Sequence, residues 1–208
     1  ALKAVGSITP VRGVVISAEV PGVIRKIHFD SSDRVPDGEL LVELDTGVDL
    51  AELAALRADR RLAEITRDRF ARISTQNLGS RSDLDEAQAT LDRVDAEIAA
   101  KEAMIRKKAV RAPFAGELGI RRINPGQDLK EGDTVTEIVA LDPVYAEYAL
   151  PERFLAELAP GQPVIVRVQS YPGRVFEGKI HAISPNVQAA SRSVVVRALI
   201  ANPDRELR

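Results

Sequence analysis

The chain has no cysteine and no tryptophan, and only two His, one Met and three Tyr in 208 residues. Without thiols there can be no disulfide, no cysteine nucleophile and no cysteine-ligated zinc or iron–sulfur cluster, whatever the compartment. Two His and 4% aromatics leave few metal ligands and few stacking surfaces for a base or a sugar. No stretch approaches the roughly 18 apolar residues of a membrane-spanning helix. The opening at Ala1 has neither an initiator Met nor the charged-then-apolar pattern of a signal peptide, and reads as the start of a processed or trimmed chain. An excess of one charge is missing too. Lys and Arg total 29 against 31 Asp and Glu, so no net basic field favours nucleic acid or anionic lipid. The remaining composition, 45% hydrophobic and 29% charged, suits one or two compact domains.

Punctuation is absent from one long stretch. Residues 48–112 hold no Pro and a single Gly, Gly79, whereas the flanks carry one or the other every few residues. Residues 49–74 are rich in Ala, Leu, Arg and Glu, good helix formers, and predict a helix about 39 Å long. Its expected inner stripe is Leu53, Leu56, Ala63, Phe70 and Ile73, diluted by Arg57, Arg60 and Arg61. Further on, Leu84, Leu91, Ile98 and Ile105 recur every seventh residue. Ala87 and Val94 fill the intermediate position and Lys101 interrupts it, which is the seam of a coiled coil. Glu97 with Lys101, Glu102 with Arg106 and Asp68 with Arg72 are spaced to pair along wet helix faces. Residues 75–79 read as a turn, and Ser80 or Ser82, each three residues before an Asp, can cap the second helix. The two helices must fold back as an antiparallel hairpin, and because each buries only one stripe, the hairpin projects from a larger core.

An internal repeat flanks it. Laying each residue over the one 94 positions later matches Gly22 with Gly116, Ile24 with Leu118, Phe29 with Ile123 and Val35 with Leu129. The match continues through Gly38 with Gly132, Leu41 with Val135, Glu43 with Glu137 and Leu44 with Ile138. Each copy reads as a short β unit with an acidic-Gly turn, Asp37-Gly38 or Glu131-Gly132, between alternating strands. Neither could bury its apolar face alone, so the two are expected to close into one small sandwich with the hairpin inserted where they join. Beyond it, residues 144–150, 164–168, 176–183 and 194–200 alternate as strands and Pro151 opens a short helix with Phe154, Leu155 and Leu158. A small antiparallel barrel is expected, joined by a strand from residues 1–8.

A split lipoyl-like domain with an inserted helical hairpin resembles the periplasmic adaptor subunits of bacterial efflux pumps, the membrane fusion proteins of the HlyD type, over essentially the whole chain. The fold class implied is α+β, mostly β: a lipoyl-like sandwich split by an antiparallel coiled-coil hairpin, plus a small antiparallel β-barrel. The resemblance divides the chain into barrel (1–12 and 143–208, with its last strand and a membrane-proximal domain outside the sequence), lipoyl-like domain (13–47 and 109–142) and hairpin (48–108). The hairpin-tip pattern of the family, Arg, Leu and Ser at spacings of four and seven, is met by Arg69, Ile73 and Ser80, with Ile for Leu. The resemblance implies that these three meet the helical tip of an outer-membrane channel.

It further implies a non-enzymatic, periplasmic linker, associated with or anchored to the inner membrane, that joins a proton-driven transporter of the resistance–nodulation–division (RND) type to that channel for export of drugs or other small molecules. Self-association into a ring, a hexamer, and no cofactor, catalytic residue, metal site or nucleic-acid partner belong to the same expectation. Hinges are expected around Gly13, Gly47 and Asp142-Pro143. Blander roles stand beside these: Arg69 as a solvated charge, Ile73 as a seam residue, Ser80 as a cap. His28 and His181 lack a second ligand, Met104 reads as gap-filler in packing, and Asp83, Asp85 and Glu86 are solvated carboxylates at a helix start. A single Met also argues against copper or silver as cargo. Two alternatives stay open: an adaptor of an ATP-driven exporter or type I secretion system, and a lipoyl or biotinyl carrier domain. The carrier needs a Lys at the turn between the halves, and none occurs between Lys26 and Lys101.

Overall fold

The computed structural model describes residues 2–75, 81–188 and 191–208. Strand β1 (Gly6–Ser17) enters the sandwich, followed by β2 (Gly22–Ile27), β3 (Arg34–Val35) and β4 (Leu40–Leu44). Helices α1 (Gly47–Thr75) and α2 (Arg81–Lys107) come next, and the chain then re-enters as β5 (Ala109–Arg111), β6 (Gly116–Leu118), β7 (Asp128–Leu129) and the long β8 (Thr134–Pro151). After a 3-10 turn over Glu152–Glu157 come β9 (Pro163–Val166), β10 (Phe176–Gln188) and β11 (Ser193–Ile200).

The two repeats are interleaved. One sheet runs β5-β4-β2-β7; the other runs β3-β6-β8-β11-β10-β9 with β1 added on β8. Each sheet therefore takes strands from both halves. The offset of 94 seen in the sequence holds for the packing: Ile16 and Val110, Ala18 and Ala112, Ile24 and Leu118, Phe29 and Ile123, Leu41 and Val135, and Leu44 and Ile138 are all buried in one core. It also holds for the hydrogen bonds. Gly38 N donates to Ala112 O at 2.9 Å, and its equivalent Gly132 N donates to Ala18 O at 2.8 Å. Ala112 N and Ala18 N return bonds to Glu39 O and Asp133 O, each 2.9 Å. Gly38 (φ 77°) and Gly132 (φ 90°) both sit in the left-handed region, which explains why a Gly recurs at that turn.

The barrel is not set off by a linker. β1 and β8 pair from Ser17 opposite Thr134 to Gly6 opposite Tyr148, through sandwich and barrel alike, with a register shift between Pro10 and Arg12. Of the expected hinges, Gly13 pairs with Val139 inside this ladder, whereas Asp142-Pro143 lie at its irregularity, between the Arg12–Ala140 and Pro10–Val144 pairs. The end of the chain straps the same junction. Asn202 Nδ2 donates to Leu141 O (2.7 Å) and Leu207 O (2.9 Å), and the Arg208 guanidinium reaches Glu117 in the sandwich at 3.1 Å. Val144, Ala146, Ala198, Ile200 and Leu207 form the barrel core. The free edges of β1 and β9 face each other across a cleft of about 820 Å³ lined by Leu2, Val5, Ile8, Leu158, Val164 and Val166.

Candidate functional site: the helical hairpin

The hairpin leaves the sandwich at Asp45-Thr46-Gly47 and returns at Lys108. Leu53 and Ala63 of α1 and Ala87, Leu91 and Val94 of α2 are buried between the helices. Leu56, Phe70, Ile73, Leu84, Ile98 and Ile105 are half-buried along the same line. Both inner stripes read from the periodicity are therefore the packed ones. Polar residues beside this stripe pair across the hairpin, Arg60 Nε donating to Asp95 at 2.6 Å and Arg57 to Glu102 at 2.8 Å, while Arg60 also reaches Glu64 one turn on along α1 at 3.3 Å. The bond to Asp95 raises the Arg60 pKa above its ordinary value.

Lys101, the interruption of the seam, has a partner there. Its Nζ donates to Glu52 at 2.5 Å and reaches Asp49 at 3.5 Å. Lys108 Nζ donates to the other Asp49 oxygen at 2.5 Å and to Asp45 O at 2.8 Å. Asp49 is only 9% exposed. The Lys108 hydrogen bond, with Lys101 adding to it, lowers the Asp49 pKa against an opposing effect of burial. This cluster stands at the root where a hinge was expected around Gly47. The pairs expected along the helices are replaced: Glu97 pairs with Arg93 rather than Lys101, Glu102 with Arg57 rather than Arg106, and Arg72 Nε donates to the Asp68 carbonyl, not its carboxylate. For Glu102 and Lys101 the partner stands across the hairpin, on Arg57 and Glu52 of α1, which spacing along one helix does not reveal.

Of the tip residues, Arg69 is exposed and Ile73 half-buried, one turn apart on the same side of α1. Ser80 lies outside the described residues, as does the turn at 76–79; Ser82 is the second residue of α2. Asp83, Asp85 and Glu86 are exposed on its first turns. Met104 is corrected: it is 44% exposed and packs in no seam. His28 bonds Glu43 at 2.9 Å and His181 lies against the Tyr145 ring at 5.7 Å, on separate parts of the fold. Among the described residues no group of three His, Asp or Glu could hold a metal, and no helix is long and apolar enough to cross a membrane. One feature escaped the periodicity. Val48, Leu62 and Ile65 of α1 are 73%, 66% and 55% exposed, and with Ala51, Ala55 and Ala58 they form a second stripe at three-four spacing. The signal was present but overlaid on the inner stripe, so that α1 read as irregular.

A sandwich closed from two interleaved halves, with a hairpin inserted between them and a barrel on the same through-running strands, is the architecture of an adaptor-class scaffold. The model of the RND MFP (membrane fusion protein) barrel-sandwich hybrid domain matches residues 12–141, and that of the CusB-like beta-barrel domain matches residues 143–208. The chain belongs to the RND membrane fusion protein family. Among its relatives are the multidrug resistance protein MdtA of Escherichia coli (strain SMS-3-5 / SECEC), 28% identical, and the nodulation protein NolF of Rhizobium meliloti (strain 1021), also 28% identical. These alignments take in 99% and 100% of this chain but 55% and 60% of the relatives, so the chain spans little more than half their length. In fold it is similar to a MacA–MexA chimera carrying the Pseudomonas aeruginosa MexA α-hairpin (TM-score 0.86, 20% identity, 99% of this chain and 76% of that one). It is also similar to the membrane fusion protein Spr0693 of Streptococcus pneumoniae R6 (TM-score 0.76, 18% identity, 99% and 96%).

Proposed function

We propose that the chain is the part of a periplasmic adaptor that links an RND transporter of the inner membrane to an outer-membrane channel, for export of drugs or other small molecules. The observation that carries this reading is the topology. The hairpin is rooted by an ion cluster at one end of the sandwich, while β1 and β8 run out of the same sandwich into the barrel, so contacts at tip and barrel are tied through one body. In this reading the barrel (1–12 and 143–208) faces the transporter at the inner membrane, the lipoyl-like domain (13–47 and 109–142) spaces the two, and the hairpin (48–108) offers Arg69, Ile73 and Ser80 to the channel. Copies associate into a ring of six. The matched models are both of RND systems, which supports that engine over an ATP-driven one.

The test is complementation in a Gram-negative strain lacking its own adaptor. Full-length protein containing this chain is expected to restore drug resistance only with an RND transporter, and a protonophore should abolish it. Restoration with an ATP-driven exporter alone would overturn the choice of engine.

A further inference from the structure

We infer that one flank of the hairpin is a binding site for a lipophilic organic cation, a small molecule with an apolar, aromatic body and a positive charge. The linking role does not require such a site, and the inference does not rest on that role. Two helices packed along single stripes leave a groove on each flank of the seam, and the volume, lining and charge of the groove decide what it can take. Between residues 59–70 of α1 and 83–97 of α2 the groove holds about 540 Å³. Sites for drug-sized molecules hold roughly 300–1,000 Å³. Along the helices the groove spans about 17–21 Å, at 1.5 Å per residue.

The lining is apolar where it is deep. Ala63, Ala87 and Val94 line the groove and are buried, Phe70 is half-buried toward the tip, and Leu62 lines it while 66% exposed. Thr66 and Thr90, one from each helix, are small and leave the middle open. Water is displaced from such a surface most favourably by an apolar body.

The rim is anionic and uncompensated. Asp59, Asp83 and Glu86 line the groove, and none has a side-chain hydrogen bond or ion pair among the described residues. Glu97 also lines it but accepts from Arg93, which lines it too. Four carboxylates against one guanidinium leave the lining a net charge of −3. The arginines of this stretch of α1 do not line the groove, and Arg60 and Arg67 are held elsewhere, by Asp95 and Asp68. By the heights that the Arg60–Asp95 and Arg57–Glu102 pairs set, Phe70 stands level with Ala87, next to Glu86. An aromatic ring beside unpaired carboxylates attracts a cation, and the apolar floor takes the rest of the molecule. A small hydrated metal ion gains nothing from that floor. An anion is repelled, and a neutral apolar molecule would cover the carboxylates without pairing them.

Tetraphenylphosphonium and tetraphenylborate have nearly the same shape and opposite charge, so together they separate recognition of a cation from apolar adhesion. In equilibrium dialysis against the purified chain, the phosphonium is expected to bind saturably, and about tenfold or more tightly than the borate. Asp83→Asn with Glu86→Gln should weaken its binding about tenfold at unchanged helix content. Asp85→Asn with Asp92→Asn makes the same change of charge outside the groove, and should alter the affinity less than about twofold. Thr90→Tyr keeps every carboxylate but fills the middle of the groove, and should abolish binding. No saturable binding, equal binding of the borate, equal losses from the two pairs of substitutions, or wild-type affinity in Thr90→Tyr would each overturn the inference. So would binding per chain that falls as the chain is concentrated, which would show a second copy covering the groove. Complementation is read in cells with a transporter present, so either result can fail while the other stands.

Discussion

Lys101 and Lys108 close on the two oxygens of a single carboxylate, Asp49, at 3.5 and 2.5 Å. The first lysine comes from the seam of α2 and the second from the residue after that helix, so one acidic side chain at the start of α1 fixes both the register of the hairpin and its attachment to the sandwich. Asp49→Asn is expected to cost about 1–3 kcal/mol, between the values for exposed and buried ion pairs. Amide exchange should quicken in the first turns of α1 and the last of α2, while the sandwich core stays protected. Unchanged exchange at the root would contradict the clamp.

The same carboxylate gives a pH dependence with a definite sign. Its folded pKa lies below the ordinary aspartate value of 3.8, so the stabilisation is complete above about pH 4 and is lost as pH falls through the lower, folded value. Acid titration of the wild-type chain should therefore show a steeper loss of stability below pH 4 than Asp49→Asn. Parallel curves would remove Asp49 from the account.

Val94 is 4% exposed between the helices, far from either sheet. Val94→Asp should melt most of the hairpin, because an unpaired charge there has no partner, while the sandwich and barrel retain their cores. Circular dichroism would report the lost helix and hydrogen exchange the surviving sheets. A variant with native helix content would show that the seam does not hold the hairpin.

Arg69 is exposed, so Arg69→Asp should shift stability by no more than about 0.5 kcal/mol. Under the proposed function it should nonetheless abolish engagement of the channel, read as lost drug resistance with normal protein levels. Full resistance in that strain would take Arg69 out of the contact.

Much of this architecture could be read from residues alone, and the reason is physical. Ile24 and Leu118, or Leu41 and Val135, are apolar at the same offset because they fill equivalent places in one core, and Gly38 and Gly132 recur because the same turn needs the same backbone. The inner faces of α1 and α2 followed from periodicity for the same reason. Partners across space were less accessible. Lys101 looked like a flaw in the seam until Glu52 and Asp49 stood opposite it, and Met104 looked like packing although it faces solvent. The continuity of β1 and β8 was hidden by Gly13, which pairs with Val139, and by Pro143, which sits at a register shift that the two strands run past.

Two interrupted β halves make one body, and cutting the connection between them tests this most directly. With a protease site inserted after Asn77 and Val94→Asp present to remove the hairpin as a tether, cleavage leaves one half on each fragment. The fragments are predicted to co-elute under native conditions and to unfold in a single transition. Separation without denaturant, or two independent transitions, would contradict it.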